Sequence, residues 1–282
     1  MVETLAVTKD KKNRAFLKWA GGKYSLMEDI NARLPKAKKL IEPFVGAGSV
    51  FLNTQYSKYL LNDINPDLIN LYNIVKHQGA AYIKDSIKLF TPDYNDELRY
   101  YHIRQSFNES EDIYERAVYF LYLNRHGYNG LCRYNNSGKF NVPFGRYKAP
   151  YFPEKELEYF SEKARLATFT CEPFEKMFTR ARKGSVIYCD PPYAPISKTA
   201  MFNSYATGGF TLDNQIKLAS LARHAGYTRE IPVLVSNHDT EFTRDIYQHA
   251  DITKLQVSRF ISQNGNARLK VAELLALYQN SI

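Results

Sequence analysis

The chain has 282 residues, 44% of them hydrophobic and 14% aromatic, with a formal net charge of +9. This is the composition of a globular protein with a sizeable core, one large domain or a domain with an insertion, and its basic balance fits a polyanionic partner, nucleic acid first, or a basic soluble enzyme. Three scattered cysteines (Cys132, Cys171, Cys189) exclude a disulfide framework or metal-ligand spacing, no apolar run is long enough to span a membrane, and residues 1–12 read as a loose polar tail with no secretory signal, so a reduced, cytoplasmic setting is expected.

Leu26, Ile30 and Leu34 recur at helical spacing between Gly22 and Pro35, which predicts a helix opening at Gly22. Lys39-Leu40-Ile41-Glu42-Pro43 reads as a short strand running into Phe44-Val45-Gly46-Ala47-Gly48, with a helix from about Ser49. Tyr59–Asp63 reads as a second strand. Asn65-Pro66-Asp67 then starts a helix, with Asn as cap, Pro at the first helical position and Asp favourable to the dipole. Between residues 66 and 153 the strand rhythm gives way to helices such as Glu111–Asn124. His126–Lys148 follows, rich in Gly, Asn, Arg and Tyr, and reads as an exposed hairpin or loop. After Pro153 strands return at Val186–Cys189 and Ile231–Ser236. Leu255–Ile261 and Val271–Tyr278 flank the turn signal Asn264-Gly265 and pair as an antiparallel hairpin. The expectation is an α/β protein divided as 1–65 (catalytic, first part), 66–153 (inserted helical part) and 154–282 (catalytic, second part).

The strand Val186–Cys189 ends in Asp190-Pro191-Pro192-Tyr193. Ligands of open α/β sheets bind outside the carboxyl ends of strands. There Asp190 and the Pro191 carbonyl are two acceptors for an amino group, and Tyr193 is a stacking surface. The set suits a flat ring bearing an exocyclic amine, although Asp-Pro-Pro is also ordinary loop punctuation. The glycine turn Gly46-Ala47-Gly48 follows a strand, as a nucleotide site requires, but Phe51 stands where a dinucleotide fingerprint has its third glycine. A nucleoside cofactor without a pyrophosphate, S-adenosylmethionine, fits better than NAD or FAD. Asp63 ends the next strand, where a carboxylate meets ribose hydroxyls or merely caps a turn. Lys23 opposes the dipole of the helix expected to begin beside it, which binding of the cofactor's carboxylate would explain.

Leu17-Lys18-Trp19-Ala20-Gly21-Gly22-Lys23, Glu42-Pro43-Phe44-Val45-Gly46-Ala47-Gly48 and Asp190-Pro191-Pro192-Tyr193, in this order, resemble the DNA adenine N6-methyltransferases, and more narrowly the Dam family that methylates GATC. The likeness runs from about Lys11 to Tyr278 and includes Tyr128–Asn135 and Asn141–Tyr147. It implies a Rossmann-like class I methyltransferase mixed sheet with an inserted, mostly helical target-recognition domain carrying a β-hairpin or loop. The reaction implied is methyl transfer from S-adenosylmethionine, leaving S-adenosylhomocysteine, to an adenine flipped out of duplex DNA. Catalysis falls to Asp190, Pro191, Pro192 and Tyr193. Cofactor binding falls to Trp19, Lys23, Phe44, Gly46, Ala47, Gly48, Asp63 and Asp190, with no metal.

The resemblance also assigns the DNA contacts. Tyr128 intercalates with Asn129 beside it, Leu131 and Arg133 read inner and outer bases, and Pro143 touches thymine. Asn135 and Arg146 contact bases or phosphates, and Lys18 contacts the first guanine pair. Asn136-Ser137 departs from the family, which often has a basic residue there. Ala194–Phe210 could close over the base or be an ordinary loop. Ser236–Asp239 reads as structural or as support behind the site, with nothing to partner His238. A monomer or weak dimer suffices for a palindrome. The alternatives are the same chemistry on another short site, a non-catalytic DNA-binding regulator, and a nucleotide-dependent oxidoreductase.

Overall fold

The computed structural model describes residues 12–194, 209–258 and 270–280. The loop expected at Ala194–Phe210 and the turn at Asn264-Gly265 fall largely or wholly outside them, as does nearly all of the N-terminal tail. The strands are β1 (Lys39–Glu42), β2 (Lys58–Asn62), β3 (Ala167–Thr170), β4 (Ser185–Cys189), β5 (Val233–His238), β6 (Asp251–Ser258) and β7 (Lys270–Tyr278). The helices are α1 (Met27–Arg33), α2 (Ser49–Leu52), α3 (Pro66–Ser86), α4 (Glu97–Glu109), α5 (Ile113–His126), α6 (Glu154–Lys163), α7 (Glu175–Arg180), α8 (Leu212–Arg223) and α9 (Glu241–Ile246). They form two compact units. A sheet unit comprises Glu28–Gly46, Gln55–Ile74 and the described part of 164–280, and a helical unit comprises 12–27, Ala47–Thr54 and Val75–Lys163.

In the sheet unit the strand order is β3-β2-β1-β4-β5-β7-β6. The first five strands run parallel, and β7 runs antiparallel to both β5 and β6. The two C-terminal strands therefore pair as their sequence predicts. Every residue of β4 is buried, as is β5 from Val233 to Asn237. Strands covered on both faces read as unbroken apolar runs, which is why these were recognisable. Ile41, Leu60, Ile187, Val233 and Val235 form the core with Met177 and Phe178 of α7 and Leu218, Ala219 and Ala222 of α8. The chain lays down β1, β2 and β3 outward in one direction, then returns to place β4 on the other side of β1. That reversal makes a topological switch point at the carboxyl ends of β1 and β4.

Two local expectations are adjusted. The helix predicted from Gly22 starts as a 3-10 turn at Tyr24–Leu26 and becomes α-helical at Met27. Lys23 precedes that turn instead of lying in a helix's first turn. Its Nζ donates to the Gly21 carbonyl at 2.6 Å, and Gly21 supplies the left-handed φ of 76° that folds the chain back. α3 begins where Asn65-Pro66 predicts, with Asn65 Oδ1 accepting from the amides of Asp67 and Leu68 at 3.0 and 3.2 Å.

In the helical unit α4 and α5 are capped by Asp96 and Asp112, whose side chains accept from the amides of Arg99 and Glu115. Their facing rings pack together, Tyr100 on Tyr122 and Phe107 on Phe120. The segment after α5, expected to be exposed, is irregular and partly buried. It has two isolated bridges, Gly127 to Phe144 and Tyr134 to Phe140, while Phe140 and Val142 are 2% and 0% exposed. The reason lies on α4. Tyr100, Arg104 and Asn108 recur every four residues and so share one face. The Tyr100 hydroxyl and Arg104 Nη1 each donate to the Val142 carbonyl at 3.0 Å. Asn108 pairs with both backbone groups of Phe140 at 2.7 and 3.0 Å.

His126 closes α5 with its ring stacked on Tyr122 at 4.0 Å and its Nδ1 3.0 Å from the Tyr122 carbonyl, while Nε2 is buried with no hydrogen-bond partner among the described residues. Burial, helped by the cations of Lys18 and Arg125, pushes its pKa down to about 4. The folded chain therefore binds this proton less readily than the unfolded chain does. Stability is intact above the unfolded value near 6.5 and declines as pH falls from there toward about 4. Between pH 7 and pH 5 the wild type should lose about 2 kcal/mol on this account, and His126→Phe should lack that component. Urea midpoints of the two proteins at both pH values check it.

Candidate active site

Asp190 leaves β4 at the switch point, and the end of β5 receives it. Ser236 Oγ donates to Asp190 Oδ1 at 3.0 Å and lies 3.1 Å from the Tyr188 hydroxyl. Both Ser236 and Tyr188 are 1% exposed. Burial, then the Asp190 charge, pushes the Tyr188 phenol well above its ordinary value, so its hydroxyl keeps its proton. Tyr193 is fixed at two points. Its hydroxyl donates to Glu273 Oε2 of β7 at 2.8 Å, and its ring meets the His238 ring edge-on at 4.6 Å. Burial and the Asp190 charge hold this phenol protonated as well.

His238, for which the sequence offers no partner, meets the Tyr193 ring and the Ala194 carbonyl, the latter 3.0 Å from its Nδ1. Pro191 is buried and Pro192 exposed. The Pro192 carbonyl accepts from Gln215 Nε2 of α8 at 2.7 Å, whereas among the described residues none donates to the Pro191 carbonyl. The arrangement thus presents a carboxylate and a peptide carbonyl as adjacent acceptors, with an anchored aromatic ring two residues on.

Across the switch point, the turn after β1 contains Gly46 and Gly48 at φ of 47° and 75°, values that a side chain would strain. Asp63, just past β2, ties this turn down: Oδ2 accepts from the Gly46 amide and Oδ1 from the Asn65 amide, both at 3.0 Å. The Tyr72 hydroxyl donates to the Gly46 carbonyl. Burial raises the Asp63 pKa against those amide donors. An ionised carboxylate has about four acceptor sites, so Asp63 can brace the turn and still accept from hydroxyls. Phe44 presents an aromatic surface backed by Phe174 and Phe210, with centroids 5.5 and 5.4 Å away. Phe51, in place of a third glycine, is fully buried core. Bent glycine backbone, an aromatic face and a strand-end carboxylate fit a nucleoside with a short tail better than a dinucleotide.

The other residues assigned to the cofactor belong to the helical unit. Trp19 is half-buried, Ala47 is buried, Gly48 caps α2, and Lys23 is 3% exposed. All the residues assigned to DNA lie in this unit too. Asn129 and Gly130 both adopt left-handed φ, 53° and 62°, and the Leu131 amide donates to the Tyr128 carbonyl at 3.1 Å. This is the geometry of a tight Asn-Gly turn, and it sets Tyr128 and Leu131 side by side, with Tyr128 37% exposed. Lys18 packs against the turn so closely that a Cβ at Gly130 would stand 2.2 Å from the Lys18 Cβ. Its backbone is bracketed by the Asn124 side chain, and its Nζ lies 3.8 Å from the Tyr147 ring centroid. Burial and Arg125 lower its pKa.

Arg133 is exposed and donates through Nε to Asn141 Oδ1 at 2.8 Å. Exposed Pro143 accepts from the Tyr128 amide. Asn135 Oδ1 accepts from the Ser137 and Lys139 amides and so shapes its own loop, and Arg146 pairs with Glu97 at 3.2 Å. Sequence reasoning missed Gln215, Glu273 and the α4 face. Only the four-residue spacing on α4 was visible in advance.

The family model for D12 class N6 adenine-specific DNA methyltransferases matches residues 19–261. The chain is 58% identical over 272 residues to the DNA adenine methylase of Escherichia coli (strain K12), covering 96% of this chain and 98% of that one. It is 59% identical over 268 residues to the DNA adenine methylase of Vibrio cholerae serotype O1 (strain ATCC 39315 / El Tor Inaba N16961), covering 95% and 97%. With that of Serratia marcescens it shares 57% identity over 269 residues, 95% and 100%. A mixed sheet whose strand β4 runs into Asp190-Pro191-Pro192-Tyr193, and matches over nearly the full length, lead to one conclusion: the chain belongs to the D12 class of N6 adenine-specific DNA methyltransferases.

Proposed function

We propose that this DNA adenine methyltransferase uses S-adenosylmethionine, flips the target adenine out of the duplex and acts at GATC. The observation that carries the chemistry is the acceptor pair at the end of β4. Asp190 is oriented by a donor from Ser236, beside a Pro191 carbonyl with no donor among the described residues. An adenine N6 lone pair is delocalised into the ring and is a poor nucleophile. Two acceptors on its N–H bonds fit better as the nitrogen becomes tetrahedral, which favours the transition state over the ground state. The amine proton can leave after the nitrogen–carbon bond has formed, so no base need act first. The Tyr193 ring, fixed by Glu273 and His238, offers a face to an extruded base, since N6 cannot be reached inside a duplex.

S-adenosylmethionine would supply an electrophilic methyl on its sulfonium and leave as S-adenosylhomocysteine. Its nucleoside suits Phe44, Gly46 and Asp63 in the sheet unit. The sequence assigns Trp19, Lys23, Ala47 and Gly48 to it as well. GATC reading rests on the resemblance of the recognition segment, supported by the exposed Tyr128 and Arg133 and the tight turn between them. In this reading Arg133 grips a guanine edge.

Asp190→Ala should reduce methyl transfer by more than about 100-fold and leave duplex affinity unchanged, as filter binding and single-turnover transfer would show. Near-normal transfer would remove the acceptor mechanism. Arg133→Ala should relax discrimination at the outer base pair by about 1–3 kcal/mol, seen by comparing kcat/KM on GATC with duplexes altered at that pair. Equal weakening on every sequence would make Arg133 a phosphate contact.

A further inference from the structure

We propose that Asn237 and Gln215 are positioning residues for methyl transfer, a buried amide pair that sets the direction of the Pro191 carbonyl. The inference rests on the acceptor role proposed for that carbonyl. Asn237 is fully buried and Gln215 is 1% exposed. Asn237 Oδ1 accepts from the Ala194 amide at 3.1 Å and from the His238 amide at 2.9 Å. Both partners can only donate, which settles which end of the side chain is oxygen. Its Nδ2 donates to Gln215 Oε1 at 3.0 Å and to the Tyr247 hydroxyl at 3.2 Å. Gln215 must then present its own Nε2 to the Pro192 carbonyl, at 2.7 Å.

One polar relay therefore holds the catalytic loop on both sides of Tyr193, at the amide of Ala194 and the carbonyl of Pro192. Pro192 carries that hold backward. Its ring locks φ, so fixing the Pro192 carbonyl leaves little freedom to the peptide that joins it to Pro191. The Pro191 carbonyl is the acceptor this restraint orients. α8 otherwise turns apolar side chains inward, Leu212, Leu218, Ala219 and Ala222. An aliphatic residue at 215 would pack there without desolvating an amide. What the amide adds is the two hydrogen bonds an aliphatic side chain lacks, to the Pro192 carbonyl and from Asn237.

Asn237→Asp tests the relay by direction. An introduced carboxylate faces Gln215 Oε1 with acceptor against acceptor, so Gln215 turns over and releases the Pro192 carbonyl. When protonated, the introduced carboxyl can donate and the relay re-forms; burial raises its pKa into an accessible range. Tyr247, the titratable side chain touching it, is kept protonated by burial. His238, Tyr193, Asp190 and Glu273 also face this region, and Gln215→Leu, which introduces no charge, is the control for their share of the pH profile.

The expected result is a single-turnover rate on the order of 100-fold lower at pH 8, with S-adenosylmethionine KM and duplex affinity unchanged. The variant-to-wild-type ratio should rise as pH falls. Gln215→Leu, which packs without a charge, should show the lowered rate with no pH recovery. Rates are taken per active site titrated with duplex, so loss of folded protein does not enter. Wild-type rates in both variants, or an Asn237→Asp deficit that pH does not move, would overturn the relay while Asp190→Ala remained inactive. Should Asp190→Ala itself turn over normally, it is the underlying acceptor reading that has failed.

Discussion

Everything at the proposed catalytic centre depends on how β4 ends. The strand is buried over its whole length, so its polar chemistry can emerge only where the backbone leaves the sheet. Asp190 is the first side chain to do so. Two prolines follow, with no amide to extend a ladder, and the chain must turn away. The same burial supplies the means of control. β5 runs beside β4 and is buried one residue short of its end, so Ser236 and Asn237 bring hydrogen-bonding groups into a site shielded from water. Electrostatic interactions there are stronger than on the surface, and each unmade one costs more. A loop of Asp, Pro, Pro, Tyr and Ala is held by Ser236, Gln215, Asn237, His238 and Glu273.

The segment proposed to read DNA is solved differently. It has almost no regular structure, yet α4 fastens its backbone at Phe140 and Val142 through three side chains on one face. The Asn129-Gly130 turn then offers Tyr128 and Leu131 from a rigid base. Burying part of this segment is what allows the remainder to be exposed and still ordered, a useful property for reading an edge of DNA.

The sheet was largely legible because its central strands β4 and β5 are nearly continuous apolar runs and the turns after β1 and β4 carry unusual residues. Asn65-Pro66 announced α3 for the same local reason. β3 was not anticipated: Ala167–Thr170 is four residues long, lies at an edge and alternates only briefly. The start of the first helix was misplaced because a 3-10 turn carries the same apolar spacing, and the contact of Lys23 with Gly21 has no signature in the chain. The partners of His238 and Asp63 were hidden for a deeper reason. His238 meets Tyr193 and Ala194 more than forty residues back in the chain, and Asp63 meets Gly46 across two strands. Such pairings exist only once the parallel order of strands is set. Asp63 braces a turn, one of the two roles its place after β2 suggested in sequence.

The most direct test of the account is tritiated methyl transfer from S-adenosylmethionine to three duplexes: one with GATC, one with GATC already N6-methylated on both strands, and one with the site scrambled. The account predicts label in the first alone, because the reaction, the target atom and the recognised site must all be as described for that pattern to arise. Label in the fully methylated or scrambled duplex at a comparable rate, or none in any duplex despite cofactor binding, would contradict it.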